Sequence, residues 1–171
     1  PKGKIQHARI REGRDPVKTA PYFDASNYFV ERNKKYGNLW IQGGPRMRSF
    51  FRDRPQFSPA LNKTPLVKWS RGYVFVSSTH TLLPRGLNLV YDEWGGQKPC
   101  GALLHTKFMN TFSEKAEEEM KRKQHYAASR EYRTYLKQME GDLKLWNEQS
   151  DEYQGWQQLE DLGLMSRGNW A

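Results

Sequence analysis

The stretch Gly101-Ala102-Leu103-Leu104-His105-Thr106-Lys107-Phe108 places an imidazole and an ammonium two residues apart, behind a short apolar run. Read as a strand over Ala102 to Thr106, it turns both side chains to one face, because alternate strand residues share a side. A metal-capable histidine beside a fixed cation suits the handling of a metal-bound phosphate or diphosphate. The plain alternative is a core histidine followed by a surface lysine, and the segment alone leans that way.

Other groups bear on the same chemistry. His80 closes a second apolar segment, and its distance from His105 matches no compact zinc motif. A hard cation such as Mg or Mn takes mainly carboxylates and at most one histidine. No Asp-x-Asp pair stands in the chain, so the main ligands of such a metal are expected from elsewhere. His80 reads equally well as a hydrogen-bonded histidine at a strand end. In Gly43-Gly44-Pro45-Arg46-Met47-Arg48, glycines admit a close anion and arginines can clamp phosphate oxygens. No Gly-Lys-Ser/Thr follows, so this is not a Walker A loop, and a turn with solvated arginines is the competing reading. Lys63 precedes the segment Leu66 to Trp69. It could hold a phosphate or carboxylate, with Trp69 stacking on a base or sugar, although a strand tryptophan is more often core. Asp92 and Glu93, beside Trp94-Gly95-Gly96, offer a general base or a sugar contact, or form a polar turn. Gly-x-Ser-x-Gly is absent, and Cys100 has no neighbour to activate it. His125 is read as structural or interfacial.

The elements that must position these groups differ along the chain. Residues 1–22 read as an extended lead-in. Asp24 is expected to cap a helix over Ala25 to Tyr36, closed by Gly37. Residues 38–64 are rich in turns, and Arg46 to Arg52 is a loop or short helix. Leu66 to Trp69, Ser70-Arg71-Gly72 and Tyr73 to Ser78 read as strand, turn and strand. From about Thr111 the pattern becomes helical. Phe108, Phe112, Ala116 and Met120 recur at four-residue spacing, with Glu–Lys/Arg pairs such as Glu118–Arg122 on the wet side. A second helix runs from about Ala127 to Met139, with Tyr132, Tyr135, Leu136 and Met139 on one face. A third covers roughly Glu152 to Leu162, closed by Gly163.

Composition limits the partners. The 171 residues suit one domain of ordinary size, 36% hydrophobic but 13% aromatic. Its single cysteine excludes an internal disulfide and fits a reducing, cytoplasmic setting. No run approaches a bilayer span, and the first twenty residues hold no secretory signal. Net charge is +9, divided as +11 over residues 1–75, +1 over 76–112 and −3 over 113–171. That asymmetry points to a localised anion site with peripheral attraction to a membrane surface. The acidic tail disfavours nucleic acid.

Taken in order, these motifs resemble the C-terminal half of bacterial family 2-type glycosyltransferases with a GT-A fold. The segments are Gly43-Gly44-Pro45-Arg46-x-Arg48, Leu61-Asn62-Lys63-x-Pro65-Leu66-Val67-Lys68-Trp69, Ser77-Ser78-Thr79-His80, Gly101-Ala102-Leu103-Leu104-His105-x-Lys107-Phe108 and Gln124-His125-Tyr126. Together they cover roughly residues 35–140. The resemblance implies a nucleotide-sugar donor, a glycan or other hydroxyl acceptor, and a divalent metal, Mn or Mg, as in polysaccharide biosynthesis. It matches His105, with His80 as a second candidate, to a metal-assisting histidine. It matches Lys107 to a diphosphate contact, with Arg46, Arg48, Lys63 and Trp69 around the donor. Asp92 or Glu93, or equally a carboxylate of the absent half, would be the base that deprotonates the acceptor. The nucleotide-binding half with its Asp-x-Asp lies outside this chain, and Pro1 fits a piece of a longer enzyme.

The expected fold is α/β, α+β as seen in this chain. A GT-A-like sheet portion over residues 1–110 is followed by a helical tail over 111–171 packed on it. The expected location is the cytoplasm, at the inner face of the membrane. Two rivals stand beside the enzyme: a non-enzymatic, basic nucleic-acid-binding module, and an interaction domain built on the helical tail.

Overall fold

A computed structural model describes residues 15–64, 66–88, 99–108, 112–122, 130–140 and 143–169. The architecture is mixed α plus β. In chain order its elements are α1 (Pro16–Thr19), β1 (Tyr22–Asp24), β2 (Tyr28–Arg32), β3 (Leu39–Gly43), α2 (Gly44–Phe50) and β4 (Val74–Phe75). There follow β5 (Leu82–Leu83), α3 (Phe112–Arg122), α4 (Arg130–Met139), β6 (Ser150–Glu152) and α5 (Trp156–Asp161). Among the described residues no helix is long and apolar enough to cross a membrane. The chain divides into two compact units, each built from three stretches. The first comprises residues 1–26, 44–59 and 104–153, and the second residues 27–43, 60–103 and 154–171. The division expected after residue 110 falls within the third stretch of the first unit.

The first unit is organised around aromatic rings. Phe112 and Ala116 of α3 are buried, as are Tyr132, Tyr135 and Met139 of α4, against Phe50 and Phe51. Phe108 and Met120 pack at the margin, so the four-residue stripe is the buried face. Tyr135 is central, with the rings of Phe50, Phe112 and Tyr132 at 4.9, 5.4 and 5.7 Å, all edge-on. Edge-to-face packing sets the positive rim of one ring on the negative face of another. The Glu118–Arg122 pair forms on the exposed side of α3. β1 pairs antiparallel with β6, Asp24 opposite Ser150. Asp15 caps α1 by accepting from Val17 N at 2.9 Å.

The second unit has a more polar interior. β2 and β3 form a hairpin with Tyr28 opposite Gly43 and Arg32 opposite Leu39. The helix expected over Ala25 to Tyr36 is therefore replaced by a strand and a turn. Tyr28, Phe29 and Val30 are consecutive, so they supply no helical period, and aromatic and β-branched residues favour a pleated surface. The Asn33 side chain accepts from Lys35 N and Tyr36 N, which builds the turn that Gly37 completes at φ +78°. β4 and β5 pair Val74 with Leu83 and Phe75 with Leu82. The hairpin expected around Ser70-Arg71-Gly72 thus forms one step later. Ser70 to Tyr73 does turn, but Leu66 to Ser70 is not a strand. Asn88 reproduces a strand edge for Leu82, its Oδ1 accepting from Leu82 N and its Nδ2 donating to Leu82 O, both at 2.8 Å. α5 is shorter than expected because β6 takes residues 150–152. It ends as anticipated at Gly163, with Gly163 N on Glu160 O and Leu164 N on Leu159 O, both at 2.8 Å.

Candidate anion-binding site

The strand expected over Ala102 to Thr106 is absent: residues 101–107 are irregular and residues 101–105 exposed. Lys107 N instead donates to His105 O at 2.8 Å, a tight turn that removes the alternation from which a shared face was inferred. Gly101 and Ala102 are poor strand formers, and the apolar pair Leu103-Leu104 stays in solvent.

What gathers the charged groups is α2. Gly43 precedes it at φ +146° and Gly44 opens it at φ +65°. A Cβ on Gly43 would lie 2.3 Å from Asn27 O, so this glycine serves the close approach of the β2 backbone rather than an anion. Arg46 and Phe50 are one turn apart and share a helix face, and both are buried. Arg46 Nη2 lies 3.3 Å from His105 Nδ1. A guanidinium can only donate, so Nδ1 accepts and the ring proton sits on Nε2. Arg46 Nε is buried and has no hydrogen-bond partner among the described residues.

A second cation reaches the same tyrosines. Lys107 Nζ stands 4.6 Å from the ring centre of Tyr135 and 4.9 Å from that of Tyr132. Burial raises both phenols above their ordinary pKa, and the Arg46 charge opposes the rise. Arg46 thus pairs with His105, and both the Arg46 charge and Lys107 act on Tyr132 and Tyr135, two residues legible from spacing only as core. Arg48, which the sequence groups with Arg46, is engaged elsewhere. Its fork grips Asp24 at 2.8 and 3.0 Å, and it also donates to Leu145 O.

In the second unit, His80 Nδ1 donates to Asn62 O at 2.6 Å, which leaves the ring's acceptor lone pair on Nε2. Asn38 donates to His80 O at 3.0 Å and to Thr81 Oγ1 at 3.2 Å, while Asn62 accepts from Ile41 N at 3.1 Å. These buried asparagines carry no signature of their own in the sequence. Lys63 Nζ donates to Thr79 Oγ1 at 3.3 Å. Trp69 is 59% exposed rather than core and stacks on Phe75. Cys100 is tied to Ser166 by two backbone bonds, and burial raises its thiol pKa. Asp92, Glu93 and His125 lie outside the described residues.

The two histidines thus differ chemically. His80 carries its ring proton on Nδ1, whereas His105 carries it on Nε2. Among the described residues no group of three or more His, Cys, Asp or Glu is placed to hold a metal. No family model matches this chain, and no match to it is found among curated proteins or solved structures.

Proposed function

We propose that this chain is the C-terminal part of a nucleotide-sugar glycosyltransferase, working in the cytoplasm with an upstream nucleotide-binding half. The observation that supports the reading best is the pairing of Arg46 with His105, with Lys107 acting on the same tyrosines as Arg46. A leaving nucleoside diphosphate gains negative charge as the sugar departs, and fixed donors aimed at that charge lower the barrier. His105 Nε2–H would donate to a phosphate oxygen, while Arg46 holds the ring's tautomer and adds charge from behind. Lys107 would contribute a second positive charge. A divalent Mn or Mg would neutralise the diphosphate when bound, its main carboxylates coming from the upstream half. The small β-hairpins would then border a larger GT-A-like sheet. The acceptor is a glycan or another hydroxyl compound, and Asp92 or Glu93 remains the proposed base.

Calorimetric titration of UDP and GDP, with and without Mn, into the chain joined to its upstream half tests this reading. Binding should weaken about tenfold or more in His105→Ala and again in Lys107→Ala. Binding unchanged in the double variant would remove the proposed roles.

A further inference from the structure

From Arg54 to Tyr91 the sequence holds five Lys or Arg and no Asp or Glu. Within this acid-free stretch the second unit exposes large apolar groups: Leu66 is 89% exposed, Trp69 59%, Val74 46% and Val76 44%. Val74 and Phe75, successive residues of β4, face opposite sides of it. Trp69 stacks on Phe75, ring centres 6.3 Å apart and planes 23° apart, on the other side. Apolar surface therefore shows on both sides of one finger. Lys68 and Arg71 are exposed on it, and Ser70 to Tyr73 forms its turn.

A finger apolar on both sides suits immersion better than docking by a single face against a folded partner. Tryptophan favours the membrane–water boundary, where its ring is buried and its N–H stays wet. Long cationic side chains reach from there to lipid phosphates. With no carboxylate between residues 54 and 91, the segment itself adds no repulsion from an anionic leaflet. We propose that residues 66–76 are a membrane-insertion finger for an anionic bilayer. Leu66, Trp69, Val74 and Val76 enter the interface, and Lys68 and Arg71 contact headgroup phosphates. This goes beyond the sugar-transfer reading and does not depend on it.

The test is co-sedimentation of the chain with phosphatidylcholine vesicles, with and without phosphatidylglycerol. The chain should bind the anionic vesicles and leave the neutral ones largely unbound. Lys68→Glu with Arg71→Glu should weaken that binding about tenfold or more, and Leu66→Ser with Trp69→Ser should do the same. All four residues are exposed, so circular dichroism should confirm unchanged folding in both variants. The proposal is overturned by absence of binding, by equal binding to neutral vesicles, or by binding that survives both double variants. A dimer seen by sedimentation velocity that Leu66→Ser with Trp69→Ser abolishes, without vesicle binding, would instead assign the finger to a second copy of this chain.

Discussion

Arg46 Nη2 meets His105 Nδ1 at 3.3 Å, and this contact decides which nitrogen of the imidazole carries the proton. Arg46 is also buried, with its Nε unpartnered among the described residues, so the protein carries a desolvated charge at this point. Such groups usually cost stability and persist for another reason. Arg46→Met keeps the volume and removes the charge. Its stability should equal or exceed that of the parent by about 1 kcal/mol, read from urea unfolding. In the same variant, nitrogen-detected NMR of His105 should lose its single-tautomer pattern, and UDP affinity should fall. A variant destabilised by several kcal/mol would show that Arg46 is a structural clamp instead.

Asp24 and Arg48 are that kind of clamp. Asp24 is buried and accepts both arms of the guanidinium fork. Asp24→Ala leaves Arg48 facing a partly buried void and should cost roughly 3 kcal/mol in urea unfolding. Donor affinity per folded molecule should not change. A loss below about 1 kcal/mol would place this ion pair among those that contribute little.

Alkaline pH should expose the tyrosine core. Burial is the main cause that raises Tyr132 and Tyr135 above 10.0, and for Tyr135 the phenol lies well beyond the ordinary range. Above about pH 10 the unfolded chain releases phenol protons that the folded chain retains, so stability is full below that pH and falls as pH rises. Tyr135→Phe removes a buried hydroxyl that has no hydrogen-bond partner among the described residues. It should therefore cost little at neutral pH and flatten the alkaline decline. An unchanged slope above about pH 10 would shift the cause to other titrating groups.

Two glycines make a control pair. Gly43→Ala sets a Cβ 2.3 Å from Asn27 O and 2.8 Å from the Tyr28 Cα, at a φ that alanine rarely adopts. Gly72, at φ +90°, has nothing within 4 Å of its would-be Cβ. Gly72→Ala should cost about 1 kcal/mol of backbone strain alone. Gly43→Ala should cost clearly more, roughly 3 kcal/mol, because the β2–β3 backbones must part. Equal losses in chemical denaturation would contradict the close approach.

The helices were legible because one apolar stripe of period near four is a local signal, and α3 and α4 bury the stripes read from Phe112 and Tyr132. The strands were not, because pairing is decided at a distance. Tyr73 to Ser78 was placed near β4, yet its partner proved to be Leu82–Leu83 rather than residues before Trp69. The consecutive Tyr28-Phe29-Val30 matched no period and was misread as helix. The site follows the same rule. Arg46, His105 and Lys107 could each be chosen by type, but the action of Arg46 on the α4 tyrosines depends on α2 packing against α4. The reason first given for pairing His105 with Lys107, strand alternation, does not hold. Tyr132 and Tyr135 looked like core alone because a phenol that borders a cation has no distinguishing spacing.

The β1–β6 pairing has a consequence for synthesis of the chain. Asp24 and Ser150 are hydrogen-bonded across 126 positions. On a ribosome adding about 5–20 residues per second, β1 emerges many seconds before its partner strand exists. Until then the Asp24 carboxylate can stay hydrated, and the closing of β1 waits for residues 126 positions further along to appear. Arrested chains ending before Ser150 should leave residues 22–24 open to proteases, and protection there should arrive only after β6 has cleared the exit tunnel.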